Sequence, residues 1–266
     1  MDGNRQRIVV KVGTSTLTHN NGSADLRSME HLVRTLSDLR GMGHEIILVS
    51  SGAIAIGIEK MKLREKPKEL RMKQAAAAVG QCQIMSMYDR LFSEYNQSVG
   101  QILLTGDDVE IENRARHLSN TFSALLEMGM IPIVNENDSV SSAEIEDATH
   151  KVLGDNDRLS ALVAKLCHAD LLILLSDIEG LYDANPKTHP DAKLIHEVRD
   201  LTSNIFEMAG DAGSWRGTGG MITKLHAARI AMENGIDMVI TNGKKLENIY
   251  GIVEKKDIGT RFIAKA

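Results

Sequence analysis

The sequence predicts an α/β protein with a mainly parallel central sheet and helices on both of its faces. Apolar, β-branched runs alternate with helical periods along the chain of 266 residues, and a repeated strand–helix–strand order is typical of parallel strands. Aromatic residues make up only 3% of the chain, whereas there are 13 Met. The core must therefore consist mostly of aliphatic side chains, as it does in helix-covered parallel sheets.

Six apolar runs have the length and composition of buried strands. These strands are predicted at residues 7–13, 44–52, 99–105, 130–138, 170–177 and 236–243. Stretches with the period of about 3.6 residues that marks amphipathic helices separate most of them. These helices are predicted at residues 26–41, 69–95, 111–128, 155–168 and 221–234. Gly235 is expected to close the last helix, because glycine readily adopts the left-handed conformation that ends helices.

Nothing in the composition divides the chain into separate domains. There is no Pro/Ser-rich linker or low-complexity tract, and the 4 prolines are scattered. Residues 1–266 are therefore predicted to form a single domain. Two lobes are expected within it, over about 1–150 and about 151–266, with a polar, hairpin-like stretch near 139–153 between them.

Charge and composition exclude several classes of function. With 31 basic and 36 acidic residues the net charge is −5, and no basic run suggests a nucleic-acid or membrane partner. No apolar run reaches about 18 residues and the N-terminus lacks the features of a signal peptide, which predicts a cytoplasmic protein. Cys82 and Cys167 lie far apart without paired CxxC motifs. Neither a disulfide framework nor a protein-bound metal site is therefore predicted.

Polar side chains and glycines lie at the carboxyl ends of four of the predicted strands. They are Lys11 with Gly13, residues 50–52 (Ser-Ser-Gly), residues 135–138 (Asn-Glu-Asn-Asp), and Ser176 with Asp177. Each group alone is also consistent with an ordinary turn or a helix cap. Because parallel strands end at one edge of the sheet, and ligands bind beyond that edge, the groups together predict one site.

Two further motifs precede predicted helices. Residues 154–157 (GDND) contain more polar side chains than capping of the next helix requires. Residues 216–224 (RGTGGMITK) look like a phosphate-binding loop, although they match neither the Walker nor the dinucleotide glycine pattern. Lys224 is expected about one turn inside the following helix, where loop N–H groups and the lysine can both meet phosphate oxygens.

These groups fit phosphoryl transfer, which needs positioning and positive charge above all. Six segments also occur in the order seen in the amino acid kinase family, which the sequence resembles over nearly its whole length. They are VVKVGTSTLT, VSSGAIAIG, VNENDSV, GDNDRLSALVA, LLSDIEGLYDANP and GTGGMITKLHAARIA. The resemblance is to members that phosphorylate free glutamate. It implies a three-layer α/β/α sandwich that binds the acid in the N-terminal lobe and ATP in the C-terminal lobe.

The resemblance implies a role for each motif residue. The implied catalytic residues are Lys11, Lys224 and Asp157. Both lysines would offset transition-state charge, and the aspartate would orient them. The residues implied in binding the acid are Ser51, Gly52, Asp138 and Asn156. Those implied in binding ATP are Lys11, Gly13, Ser176, Asp177, Thr218, Gly219, Gly220, Met221, Ile222, Thr223 and Lys224. The backbone N–H groups of Gly13 and Gly52 are expected to face the transferring phosphoryl group.

The implied activity is ATP-dependent phosphorylation of the γ-carboxylate of L-glutamate. The product would be γ-glutamyl phosphate, in the first step of proline biosynthesis. Mg²⁺ would bridge the ATP phosphates, proline would act as a feedback inhibitor, and the protein would be a homo-oligomer. The glutamate side chain has an ordinary pKa of about 4.3, so near neutral pH its carboxylate is already the nucleophile and needs no general base.

Two alternatives remain open at this point. The chain could be another kinase of the same fold, such as acetylglutamate kinase, although the NEND and GDND motifs favour free glutamate. It could also be an amino-acid sensor that retains the fold without turnover. The presence of both Lys11 and Lys224 argues against a sensor, because a pure binder has little use for two cations aimed at a phosphoryl group.

The sequence departs from the family pattern in two places. Many members carry a C-terminal PUA domain, which resembles RNA-binding modules. This chain ends at residues 260–266 (TRFIAKA), so no PUA domain is expected. Residues 145–153 also look longer than the usual connection between the two acid-binding motifs.

Overall fold

The structure of the protein, a computed structural model, describes residues 5–19, 21–140, 156–210 and 220–265. Its strands are β1 (Arg7–Val12), β2 (Glu45–Val49), β3 (Val99–Leu104), β4 (Ile131–Glu136), β5 (Leu171–Ser176), β6 (Glu197–Val198), β7 (Asp237–Asn242) and β8 (Thr260–Phe262). Its helices are α1 (Thr14–Leu17), α2 (Leu26–Gly41), α3 (Ala53–Lys60), α4 (Leu70–Glu94), α5 (Gly106–Glu110), α6 (Glu112–Glu127), α7 (Asn156–Leu166), α8 (Ser203–Gly210), α9 (Met221–Glu233) and α10 (Asn248–Val253).

These strands form one sheet in the order β3-β4-β2-β1-β5-β7-β8-β6. Every pair from β3 across to β7 is parallel, and β6 pairs in parallel with β8. β8 meets β7 in the antiparallel sense. The sheet is therefore mainly parallel, with a change of direction near one edge, and the prediction of a mainly parallel sheet is confirmed.

Helices pack on both faces of the sheet. The alternation of side chains along β1 sends Ile8 and Val10 into one core and Val9 into the other. The first core includes Leu36 of α2, together with residues of α4 and α10. The second includes Phe122 of α6, together with residues of α7 and α9. The molecule thus has three layers, and the predicted α/β/α sandwich is confirmed.

The predicted strands and helices are present, with bounds that differ by a few residues. β2 ends at Val49 and not at residue 52, because the chain turns at Gly52, whose φ of +93° is left-handed, and then enters α3. The ranges predicted from the sequence do not include α1, α3, α5, α8, α10, β6 or β8. The longest of them has eight residues, which is shorter than the window of about 11–18 residues in which a hydrophobic period is recognised.

The strand order creates a crevice at the middle of the sheet. β1 pairs with β2 on one side and with β5 on the other. The chain then continues outward in opposite directions, through β4 and β3 on one side and through β7 on the other. Connections that diverge in this way leave an opening beyond the carboxyl ends of the strands, which is where open α/β sheets bind ligands.

Candidate active site

A buried aspartate lies between two lysines at this crevice. Asp157, in the first turn of α7, has no exposed surface. Its Oδ1 atom is 2.7 Å from Nζ of Lys11, and its Oδ2 atom is 2.9 Å from Nζ of Lys224. Both lysines are buried as well. The three residues predicted to be catalytic therefore lie in direct contact, although they belong to β1, α7 and α9.

Local structure explains how each lysine reaches the aspartate. Lys11 lies two positions after Val9, so both side chains point to the face of the sheet that α7 covers. Lys224 is the fourth residue of α9, one turn inside the helix as predicted. Side chains of a helix lean toward its N-terminus, so Lys224 is directed at the crevice and not away from it.

Opposing effects set the ionisation of Asp157. Burial by itself raises the pKa of this carboxyl, but the charges of Lys11 and Lys224 and their hydrogen bonds outweigh burial and hold the pKa below its ordinary value. The carboxylate is therefore ionised at neutral pH. The cluster of two lysines and one aspartate then has an excess of one positive charge, which suits an anionic ligand.

Asn156 joins the ends of two strands. The two hydrogens on its Nδ2 atom are shared among three acceptors, which are the backbone oxygen of Ser50 at 3.0 Å, Oγ of Ser51 at 2.7 Å and Oδ1 of Asn135 at 3.3 Å. Ser50 and Ser51 follow β2, whereas Asn135 belongs to β4. Because Asn156 precedes Asp157 in the chain, the polar cluster at β2 and β4 is linked directly to the two lysines.

Gly52 shapes the turn between β2 and α3. It is the N-cap residue of α3 and has a φ of +93°, a conformation that costs a residue with a Cβ atom more than it costs glycine. The N-cap of α3 makes no side-chain hydrogen bond, and Ser51, two residues before α3, accepts from Nδ2 of Asn156. Helix N-termini favour anions, so this turn suits a carboxylate or a phosphoryl oxygen. Asp138 follows β4 on the same edge and is partly buried.

The predicted nucleotide-binding residues of β5 lie on the other side of β1. Oγ of Ser176 donates to Oδ1 of Asp177 at 3.2 Å, and the backbone oxygen of Ser176 accepts from the N–H of Gly243 at 2.7 Å. Gly13 lies between this group and the lysines, since a Cβ atom built there would be 3.7 Å from Nζ of Lys11 and 3.9 Å from the backbone oxygen of Leu175. The backbone at Gly13 is therefore close to the crevice.

The start of α9 supplies the remaining predicted residues. Gly220 is exposed and caps α9, and Oγ1 of Thr223 donates to the backbone oxygen of Gly220 at 2.7 Å. Met221 and Ile222 follow in the first turn and pack against the core. Thr218 and Gly219 lie outside the described residues, as do residues 141–155, which contain most of the polar stretch and all of the long connection noted in the sequence.

Two residues of the site, Gln81 and Tyr88, do not appear among the predicted ones. Asn135 belongs to the NEND motif, but Gln81 and Tyr88 of α4 come from a stretch with no recognised motif. Nδ2 of Asn135 donates to Oε1 of Gln81 at 2.9 Å, and the hydroxyls of Tyr88 and Ser50 are 3.0 Å apart. The available signal is helical spacing, which puts Gln81 on the same face as the buried Ile84 and Tyr88.

Two other kinds of site were sought within the described ranges. They contain no group of three or more His, Cys, Asp or Glu residues able to hold a metal ion. None of the helices in the same ranges has both the length and the apolar character needed to cross a membrane.

The fold and this cluster of charges define a phosphotransferase of a known class. A sequence model of the amino acid kinase family matches residues 6–242. The chain belongs to this family. Solved structures with the same fold include carbamate kinase from Giardia lamblia, with a TM-score of 0.68 and 16% identity, covering 98% of this chain and 99% of that one. UMP kinase from Ureaplasma parvum has a TM-score of 0.63 and 15% identity, covering 97% and 99%.

Much more similar sequences carry one particular name. The chain is 54% identical to glutamate 5-kinase from Clostridium perfringens, over 98% of this chain and 96% of that protein. It is 50% identical to glutamate 5-kinase from Listeria monocytogenes, over 98% of this chain and 94% of that protein. At this identity and coverage, the chain and these relatives align along nearly the whole length of both.

Proposed function

We propose that this protein transfers the γ-phosphoryl group of ATP to the γ-carboxylate of L-glutamate. The product is γ-glutamyl phosphate, and the reaction is the first step of proline biosynthesis. The observation that carries this proposal is the contact of Asp157 with both Lys11 and Lys224. The relatives named glutamate 5-kinase support the choice of glutamate as the acid.

The arrangement of charges suits phosphoryl transfer to a carboxylate. The acceptor is ionised near neutral pH, so no base has to remove a proton from it. The main requirement is to bring two anions together and to offset the charge that spreads over the transferred group. Lys11, at the end of β1, and Lys224, at the start of α9, provide two buried cations for this purpose. Asp157 keeps them on opposite sides of one carboxylate.

The two substrates occupy the two lobes, over about 1–150 and about 151–266. Glutamate binds at Ser51, Gly52, Asp138 and Asn156, where amide, hydroxyl and carboxylate groups meet the ammonium and carboxylate groups of an amino acid. ATP binds beyond β5 and α9, at Gly13, Ser176, Asp177 and residues 218–224. Mg²⁺ enters with the ATP phosphates, whose charge it shields. The backbone N–H groups of Gly13 and Gly52 face the transferred group.

We also propose a cellular location and an oligomeric state for this enzyme. The enzyme works in the cytoplasm as a homo-oligomer. A stripe of exposed, uncharged side chains on α4 supports self-association, and it consists of Ala75, Ala78, Val79 and Cys82. Light scattering of wild type and of the Val79→Glu variant tests this, because a charge in an apolar contact between copies lowers the measured mass.

A substrate panel tests the proposed function. Purified protein is incubated with Mg·ATP and with glutamate, N-acetylglutamate or aspartate, and acyl phosphate is trapped with hydroxylamine. We expect hydroxamate formation with free glutamate. A clear preference for N-acetylglutamate would show that the activity is that of an acetylglutamate kinase. Glutamate binding without ATP turnover would show that the protein is a sensor.

We further propose that proline inhibits the enzyme by competing with glutamate. Proline shares the α-carboxylate and a cationic nitrogen with glutamate, so the groups around Asn135 and Asp138 can recognise both. Initial rates at several glutamate concentrations, with and without millimolar proline, are the measurement. Proline should raise the apparent KM for glutamate and leave kcat unchanged. Unaltered kinetics would contradict competition at this site.

A further inference from the structure

We propose that Gln81 of α4 is a positioning residue for the acid-binding pocket. It acts by holding the carboxamide of Asn135, which in turn faces Asn156. The inference rests on the proposed function, since it concerns the site assigned to glutamate. Gln81 is not among the residues assigned to substrate. It lies on α4, behind Asn135.

The hydrogen bonds give the carboxamide of Asn135 one orientation. Its Nδ2 atom donates to Oε1 of Gln81 at 2.9 Å. Its Oδ1 atom accepts from the N–H of Glu136 at 2.9 Å and from Nδ2 of Asn156 at 3.3 Å. A carboxamide turned by half a rotation would present a donor to the donor of Asn156. Gln81 therefore stabilises the orientation in which Asn135 can accept from Asn156.

Burial makes this contact costly to lose. Asn135 is 2% exposed and Gln81 is 9% exposed. A buried amide without a partner is destabilised, because water cannot replace the missing hydrogen bond. Within the described residues, the side chain of Gln81 makes one hydrogen bond, and its partner is Asn135. Gln81 thus serves the pocket and not a separate structural network.

The packing of α3 on α4 determines where Gln81 lies. A Cβ atom at Gly80 would be 1.7 Å from the backbone oxygen of Ala53, and one at Gly57 would be 1.8 Å from that of Ala76. The two helix backbones therefore touch, which only glycine permits at these positions. Since Ala53 is the first residue of α3, this contact ties Gln81 to the turn that carries Ser51 and Gly52.

A second contact of α4 supports the same pocket from the neighbouring strand. The hydroxyl of Tyr88, which is fully buried, lies 3.0 Å from Oγ of Ser50. The backbone oxygen of Ser50 accepts from Nδ2 of Asn156. Gln81 and Tyr88 are two helical turns apart on one face of α4. The helix thus contacts both strand ends that Asn156 joins.

The test compares Gln81→Met with Gln83→Met. Both changes replace a carboxamide on α4 by an apolar chain of similar length, but Gln83 is partly exposed and its Oε1 accepts from Nζ of Lys60. We expect Gln81→Met to raise the KM for glutamate about tenfold, as for a buried group that loses its partner, with little change in the KM for ATP. Gln83→Met should leave both values near wild type.

A double variant separates positioning from a general loss of structure. Asn135→Ala removes the group through which Gln81 acts, so adding Gln81→Met should raise the KM for glutamate no further. Multiplied effects of the two changes would overturn the proposal. So would an equal rise in both KM values, or a Gln81→Met variant whose KM for glutamate equals that of wild type.

The proposed function is checked first with wild-type protein on the acid panel. If wild type phosphorylates a different acid, glutamate is the wrong substrate, and the KM for the accepted acid then decides the role of Gln81. If wild type neither binds any of the acids in calorimetry nor phosphorylates any of them, both proposals fail.

Discussion

Asp157 illustrates how one residue makes two buried cations tolerable. Placing Lys11 and Lys224 away from water is unfavourable unless an opposite charge and hydrogen bonds compensate. The carboxylate offers one oxygen to each lysine, so both ammonium groups have a partner before any substrate arrives. Under the proposed function, the remaining positive charge meets the phosphate oxygens. The site is thus preorganised, which is the condition under which fixed charges accelerate a reaction most.

At this scale, Lys224→Ala should lower kcat by about 100-fold or more, because one donor to the transition state is lost. The measurement is steady-state turnover with saturating ATP and glutamate. Lys165→Ala is the matched control, since Lys165 is exposed in the last turn of α7 and its loss should leave kcat unchanged. A Lys224→Ala variant with turnover near wild type would show that this lysine is not catalytic.

At the scale of elements, the crossing of α3 and α4 connects packing to the site. α3 carries the Gly52 turn at its start, and α4 carries Gln81 and Tyr88. Gly57 and Gly80 allow the two backbones to approach until a side chain at either position would collide with a carbonyl oxygen. A backbone contact cannot yield as a flexible side chain can. Enlarging either glycine must therefore move a whole helix.

Gly80→Ala should consequently destabilise the protein by about 1–3 kcal/mol, the range for overpacked interiors, and raise the KM for glutamate. Urea unfolding and kinetics measure the two effects. Gly41→Ala is the control, because Gly41 is exposed at the end of α2 and a Cβ atom there meets nothing within 4 Å. That change should be neutral or slightly stabilising. Equal stability of the two variants would contradict the close approach of the helices.

At the scale of the whole molecule, the two ends of the parallel strands carry different groups. The carboxyl ends of β1, β2, β4 and β5 carry the candidate site, whereas a buried histidine lies at the opposite, amino-terminal ends of these strands. His44, just before β2, is buried there and accepts a hydrogen bond at Nδ1 from the N–H of Gln6. The small cavity beside it is also lined by Arg5, Arg40 and Glu45. Burial lowers the pKa of His44.

This lowered pKa predicts a loss of stability in acid. The unfolded chain takes up a proton at His44 near the ordinary histidine pKa of about 6.5, whereas the folded protein does so only at lower pH. The unfolding free energy should therefore fall as the pH drops below about 6.5. Chemical denaturation between pH 8 and 5 should show a shallower fall for His44→Gln than for wild type. The exposed His117→Gln should keep the wild-type slope, and identical slopes for all three proteins would disprove the role of His44.

The sequence by itself determined the layers of this fold and most of the polar residues at its site. Strands and long helices depend on the spacing of apolar side chains that are only a few residues apart in the sequence. They can therefore be predicted without tertiary information. Four residues could be recognised because each lies at a strand end or a helix start, and an ordinary turn or cap does not fully explain its presence there. They are Lys11, Asn156, Asp157 and Lys224.

Only the tertiary structure decided which of these groups touch. Asp157 lies far along the chain from Lys11 and Lys224, and no local pattern specifies that one carboxylate contacts both. Gln81 could not be assigned for the same reason, because its partner Asn135 belongs to a strand that the sheet order alone brings beside α4. Contacts of this kind depend on strand order, on the sheet face and on the distance between helix axes, and these properties exist only once the chain has packed.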